Sequence, residues 1–331
     1  MRRQPLVSVV IPTYNRAGII CQTLDNVLEQ TYANFELIVV DDGSTDDTLS
    51  KLRPYGNRIR VISQANAGPA VARNRGVEAA RGEIIAFQDS DDLWKSTKLE
   101  RQVALLEHFG RSVPCCLCSV FLGLVDGKEY TSFDHSMVRM RREEGLWLNV
   151  AEVLATRFVL FNQAVAIRRE FFERVGGFDP ELKYLEDYDL PLRLALEGPW
   201  AFIREPLVIY GHGSPESFSQ AALKDPLALK ECELKIYERL LARQGGWGPN
   251  EHARKHLMRR EKIASRELQA MRREGPDSLV VRVMRKVLKE ISRCHVAFYR
   301  RSPWFPQPNT LPVGAPISHH KRRRTCVSVA K

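Results

Sequence analysis

No run of 18 uninterrupted apolar residues occurs in the 331-residue chain, so no segment of it reads as a membrane-spanning helix. No secretory leader is expected either, since Leu6 to Pro12 is a short apolar run broken by Ser8 and closed by proline. Seven cysteines do not make a disulfide framework at this length, and no second cysteine pair joins Cys115, Cys116 and Cys118 to complete a zinc set. These three lie in the apolar stretch Val113 to Val125, where a reduced thiol behaves as a small hydrophobe. The expectation is a cytoplasmic protein with free buried thiols. Positive charge is scarce through most of the chain. From residue 250 onward lie 20 of the 50 Lys and Arg but only 6 of the 40 Asp and Glu, so the whole net charge of +10 arises there. That excludes a globally basic nucleic-acid binder, and no aromatic platform accompanies the terminal charge; nucleic acid is not an expected partner.

What the chain does have is a series of apolar runs, each ending in acid or in a polar turn. Gly82 to Trp94 is the clearest: Ile84 to Gln88 reads as a buried parallel strand, and Asp89, Asp91 and Asp92 follow at once. Carboxylates packed this closely repel one another and favour a cation, and hard oxygen ligands suit Mg²⁺ or Mn²⁺. The same residues can also serve only to turn the chain and cap a helix over Leu93 to Phe109. Leu6 to Ile11 gives a first strand leading into Pro12-Thr13-Tyr14-Asn15-Arg16, and an amphipathic helix follows to Gln30. Phe35 to Val40 is a second strand, ending in Asp41-Asp42-Gly43-Ser44. Arg58 to Ser63 is a third, and Pro69 opens a helix that Gly82 ends. This order fits a parallel sheet with right-handed crossovers, whose acidic strand ends share one edge.

Four ordered stretches, Val7 to Arg16, Val39 to Asp46, Asn66 to Gly76 and Asp89 to Asp92, resemble the motifs of the family 2 glycosyltransferases. The resemblance covers about residues 5 to 212. It implies an α/β fold of the GT-A, Rossmann-like type: a mixed, mainly parallel sheet flanked by helices, carrying here a C-terminal helical extension. It also implies transfer with inversion from a nucleotide-sugar donor. By resemblance Pro12, Tyr14, Asp42 and Arg73 hold the nucleotide, with Asp42 accepting from a uracil N–H and Asp41 fixing the turn. Asp89 and Asp91 match a metal-binding Asp-x-Asp that bridges the cation to the diphosphate, so Asp89 counts as nucleotide-binding too. Gly176-Gly177-Phe178-Asp179 followed by Glu186-Asp187 resembles the stretch where the catalytic base opens a helix, which selects Asp187. The residues alone leave a second reading, acidic side chains placed at a helix N-terminus.

Domain expectations follow: a nucleotide-sugar half over 1–110, an acceptor half over 111–215, a basic helical extension over 216–301 and a disordered basic tail over 302–331. Within the extension, Glu251 to Arg273 and Ser278 to Arg301 read as basic helices, suited to docking on the body or to an anionic membrane surface. A membrane role would place the protein peripherally on the inner face of the cytoplasmic membrane, with a glycan or lipid-linked acceptor. His212, in the loop after a strand, is a candidate to approach the diphosphate. The rival readings are a nucleotidyltransferase and a non-enzymatic, membrane-surface nucleotide binder.

Overall fold

The computed structural model describes residues 4–159, 161–211, 224–243, 247–275 and 308–314. The first half alternates as its apolar runs require: β1 (Val7–Thr13), α1 (Ile20–Leu28), β2 (Phe35–Asp41), α2 (Thr48–Leu52), β3 (Arg60–Ser63), α3 (Pro69–Ala79) and β4 (Ile84–Phe87). β1 pairs in parallel with both β2 and β4, and β2 pairs in parallel with β3. The chain therefore moves outward from β1 to β3 and then returns to β1's other side. That reversal opens a crevice at the carboxyl ends of β1 and β4, the usual ligand position in open α/β sheets.

Beyond β4 the sheet becomes mixed. β5 (Leu93–Trp94) and α4 (Lys98–Phe109) precede the long β6 (Cys115–Val125), which turns back as β7 (Lys128–Thr131). Then come α5 (Ser132–His135), β8 (Glu144–Trp147), α6 (Val150–Leu154), β9 (Val165–Arg168), α7 (Arg169–Arg174), α8 (Glu186–Ala195) and β10 (Trp200–Ile209). β9 runs antiparallel between β4 and β6, and β10 lies parallel to β6. β6 and β10 thus point the same way as β4 and end on the same edge as the crevice.

Two expectations about this region need correction. A helix over Leu93 to Phe109 was expected, but it starts only at Lys98. Asn26 clamps Trp94 in an extended form, accepting from its N–H at 2.7 Å and donating to its carbonyl at 2.9 Å, and Leu93–Trp94 pairs with Val208–Ile209. The strand expected over Asn162 to Arg168 is a 3-10 turn as far as Ala164, and extended only from Val165.

The carboxy-terminal region packs on the body. α9 (Pro226–Leu241) buries Cys232, Ile236, Tyr237 and Leu240, and α10 (Glu251–Glu274) buries Ala253, Leu257 and Ala264; all of these belong to one core with the sheet. In the tail expected to be disordered, β11 (Thr310–Leu311) pairs with β8, and Leu148 N–H donates to Asn309 O at 2.7 Å. The second basic helix, Ser278 to Arg301, lies outside the described residues, as does His212. Cys115, Cys116 and Cys118 are free and buried, and burial pushes their thiols up. No helix among the described residues is long and apolar enough to cross a membrane.

α3 can lie on β1 only because residue 76 is glycine: a Cβ there would sit 2.3 Å from Val10 Cγ1, in a side chain with no exposed surface. Gly76→Ala gains at most about 1 kcal/mol of helix propensity and incurs about 1–3 kcal/mol of overpacking. Chemical denaturation should show net destabilisation, and a more stable variant would contradict this packing.

Candidate active site

The edge of the crevice nearest β1 and β2 is held by reciprocal hydrogen bonds between two loops. Asn15, at φ 51°, donates its N–H to Ser44 Oγ at 2.9 Å, and its Oδ1 accepts from Thr45 N–H at 2.8 Å. Arg16 N–H donates to Thr48 Oγ1, and Ala17 N–H to Asp46 Oδ2. This lacing holds the backbone just after Pro12 and the exposed Tyr14 against the acidic turn. Asp41 accepts from Ser44 N–H at 3.3 Å, the turn-fixing contact expected of it. Asp42 is buried and works harder than its sequence suggests. Its Oδ1 accepts from Gln64 Nε2 and Ala67 N–H and its Oδ2 from Gly68 N–H, all at 2.8 Å, so it anchors the loop leading into α3. An ionised carboxylate has about four acceptor positions, so capacity remains for one more donor.

Across the crevice, Arg73 emerges from α3 and is buried rather than solvated. Nη2 donates to Asp89 Oδ1 at 2.7 Å and Nη1 to Glu186 Oε1 at 3.0 Å, while the guanidinium carbon lies 5.5 Å from the centre of the Phe178 ring. The neighbouring Asn74 exchanges two hydrogen bonds with the Phe178 backbone, at 2.8 and 3.0 Å. Consecutive residues of α3 thus join the Asp89 loop to the Gly177–Asp179 turn and the start of α8. The sequence singled out Arg73, but not Asn74 as its structural companion and not Glu186 as its partner.

The Asp89 loop is folded on itself and tied to β10. Asp92 N–H donates to Asp89 O, Gln88 Nε2 donates to Asp92 O, and Gly211 N–H donates to Asp92 Oδ1 at 2.8 Å. Residue 211 must be glycine, because a Cβ there would fall 1.7 Å from the carbonyl oxygen of Asp91. Asp92 therefore turns into the interior, where burial and the charge of Asp89 push its carboxyl up to about 8. Asp91 is half-buried, and its pKa is raised by burial and by Asp89. Asp92 Oδ2 and Gln88 Oε1 are buried without a hydrogen-bond partner among the described residues.

This surplus of acceptor oxygens and negative charge suits a hard cation at Asp89 and Asp91. No three His, Cys, Asp or Glu among the described residues are arranged to hold a metal ion by themselves. The two carboxylates fit an ion whose remaining ligands are water and substrate phosphate, the usual arrangement for magnesium.

Asp187 is the second residue of α8, which begins after Leu185 in the left-handed region at φ 67°. Burial first, then the charges of Glu186 and Asp89, raise its carboxyl to about 7, against the opposing pull of Arg73. An unperturbed carboxylate value near 4 makes a weak base, and this shift runs in the direction a general base needs. Two residues on, Asp189 is fully buried. Its Oδ2 accepts from Arg193 Nε at 2.9 Å and its Oδ1 from Arg239 Nη2. Arg239 also reaches Asp179 at 2.8 Å, so α9 clamps both the Gly177–Asp179 turn and α8. Nothing in local spacing announces an ion pair between residues 50 positions apart.

Comparison with known proteins identifies the family and the fold. A family model described as "Glycosyl transferase family 2" matches residues 8–169. EpsJ of Bacillus subtilis, an uncharacterised glycosyltransferase, is 30% identical over 249 residues, covering 74% of this chain and 71% of EpsJ. The chain spans 57% of the length of the first curated relatives it matches. Among solved structures, S. aureus TarS in complex with UDP-GlcNAc has a TM-score of 0.61 at 23% identity, covering 77% of this chain and 72% of that one. The mannosyltransferase PcManGT of Pyrobaculum calidifontis, in complex with GDP-Man and Mn²⁺, has a TM-score of 0.53 at 22% identity, covering 92% and 84%. These likenesses show a shared GT-A fold.

Replacing Arg73 by methionine leaves two largely buried carboxylates without their counter-charge, which costs about 3–5 kcal/mol when a buried pair is broken. Lysine, a point charge without the guanidinium fork, should restore only part of that. Denaturation of both variants tests this, and a methionine variant as stable as the parent would contradict the bridging role.

Proposed function

The chain belongs to glycosyl transferase family 2, and on that premise we propose that it catalyses metal-dependent, inverting transfer of a sugar from a UDP-sugar to a hydroxyl of a glycan or lipid-linked acceptor. The observation that carries this reading is the meeting of Asp187 with the Asp89 loop around Arg73: the base candidate feels the charge of Asp89 directly. Acceptor and donor sites must adjoin in this way for an acceptor oxygen to reach the anomeric carbon.

In this reading Pro12 and Tyr14 flank the base, Asp42 offers Oδ2 to the uracil N–H, and Arg73 orients Asp89 toward the diphosphate. Asp89 and Asp91 would hold a Mn²⁺ or Mg²⁺ ion, which when bound would offset charge on the departing diphosphate. Asp187 accepts the proton of the acceptor hydroxyl as its oxygen bonds to the anomeric carbon, from the face opposite the leaving group. The bond from that carbon to the phosphate oxygen breaks, and UDP departs with the electron pair. A nucleotidyltransferase would leave Asp187 without a task. The free buried thiols fit a reducing compartment, in this reading the cytoplasm.

Asp187→Asn removes the proton acceptor and little else, so UDP release in turnover should fall by about 10²–10⁴-fold. Affinity for the UDP-sugar should change little; near-normal turnover would sink the assignment. Parent activity should also fall as pH drops, because Asp187 must be deprotonated to act. A cation at Asp89 cancels negative charge near Asp187 and moves that limb below the cation-free value of about 7.

A further inference from the structure

α10 carries two opposite faces. Ala253, Leu257, Ala264, Leu268 and Met271 are buried toward the body. On the other side Lys255, Arg259, Lys262, Arg266 and Arg273 are all exposed. At 3.6 residues per turn these five fall within about 60° of arc, in a row about 27 Å long.

The row is not a by-product of a generally basic helix. Elsewhere on α10 the arginines have carboxylate partners: Arg254 with Glu251 at 3.1 Å, Arg260 with Glu233 at 3.2 Å and Arg272 with Glu231 at 2.8 Å. Its Glu267 is spent on Lys230 of α9, at 2.6 Å. None of the five row residues has an ion pair among the described residues. Lys255 and Arg259, Arg259 and Lys262, and Lys262 and Arg266 are like charges stacked three or four apart, an arrangement that destabilises a helix. A self-repelling row left uncompensated, on a helix whose other arginines are paired, is best satisfied by an external anionic surface.

We propose that this face of α10 docks the protein on an anionic lipid bilayer. A straight row of cations meets a flat sheet of phosphate headgroups along its whole length. Exposed Ile263 lies beside the row and supplies an apolar contact at headgroup depth. Residues 251–274 contain no Phe, Tyr or Trp to serve as a stacking platform for nucleic-acid bases. The docking face belongs to an ordered helix anchored in the core, so it orients the whole body against the bilayer. The proposal does not depend on the glycosyl-transfer reading, because vesicle binding can be measured whether or not sugar is moved.

The test is flotation of the full chain with vesicles of phosphatidylcholine alone or mixed with phosphatidylglycerol. The parent should bind the anionic vesicles at least about tenfold more tightly, with the preference weakening in high salt. The variant Lys255→Glu/Lys262→Glu/Arg266→Glu should lose at least about tenfold in partitioning to the anionic vesicles. A charge-matched control, Arg53→Glu/Lys128→Glu/Arg142→Glu, changes exposed cations remote from α10 in sequence and should bind like the parent. Circular dichroism would verify that both variants are folded. Equal binding by the two variants overturns the proposal, as does a parent that ignores anionic vesicles. Displacement of the parent from the vesicles by duplex DNA that binds through the same row overturns it in favour of nucleic acid.

Discussion

One guanidinium joins the two halves of this protein. Arg73 leaves a helix of the nucleotide-side half, is almost wholly buried, and divides its fork between Asp89 on the acidic loop and Glu186 at the start of α8. A buried guanidinium is tolerable only with carboxylates at hydrogen-bond distance, and those carboxylates are tolerable only with it. The mutual need fixes the distance between the two strand-end loops where the crevice opens. Asn74 adds a geometric lock on the Phe178 backbone, and Phe178 packs edge-on against Phe87 of β4. Asp187 directly follows Glu186, so the bridge fixes its position, while burial and the charges of Glu186 and Asp89 raise its basicity against the pull of Arg73.

The same logic extends to the C-terminal helices. The helical segment after β10 could have been an appendage, yet α9 sends Arg239 into the buried Asp189 and the turn residue Asp179. The helix that presents Asp187 is therefore held from both sides, by Arg73 of α3 and by Arg239 of α9. α10 rests on α9 and α6, leaving its cationic face outward. In the body the catalytic and cation-binding candidates are carboxylates; the unpaired positive row lies on the periphery.

The sequence made the first half legible because parallel strands buried on both faces read as unbroken apolar runs, such as Ile84 to Phe87, and because turn acids mark their ends. The acids at the strand end drew attention to Asp89 and Asp91, whereas Asp42, Arg73 and Asp187 were singled out only by resemblance to the family's motifs; the structure brings Arg73, Asp89, Asp91 and Asp187 together around one crevice. Illegible features depended on distant partners. Trp94 is extended rather than helical because Asn26, 68 positions away, satisfies its backbone. Asp92, the last of three acids at the strand end, has its carboxylate drawn inward by Gly211, 119 positions on. Thr310–Leu311 joins the sheet through Trp147 and Leu146, 163 and 165 residues earlier, although its surroundings read as a basic, proline-rich tail. The mixed strand directions of β8 and β9 likewise carry no mark in composition.

Calorimetric titration of the purified chain with UDP, with Mn²⁺ and then with chelator, tests the central claim most directly. The account predicts UDP binding that requires the cation, with the requirement lost together with the affinity in Asp91→Ala. Absence of UDP binding by the folded protein in the presence of Mn²⁺, or equal binding with and without the cation, would contradict the claim that Asp89 and Asp91 form a cation-assisted diphosphate site.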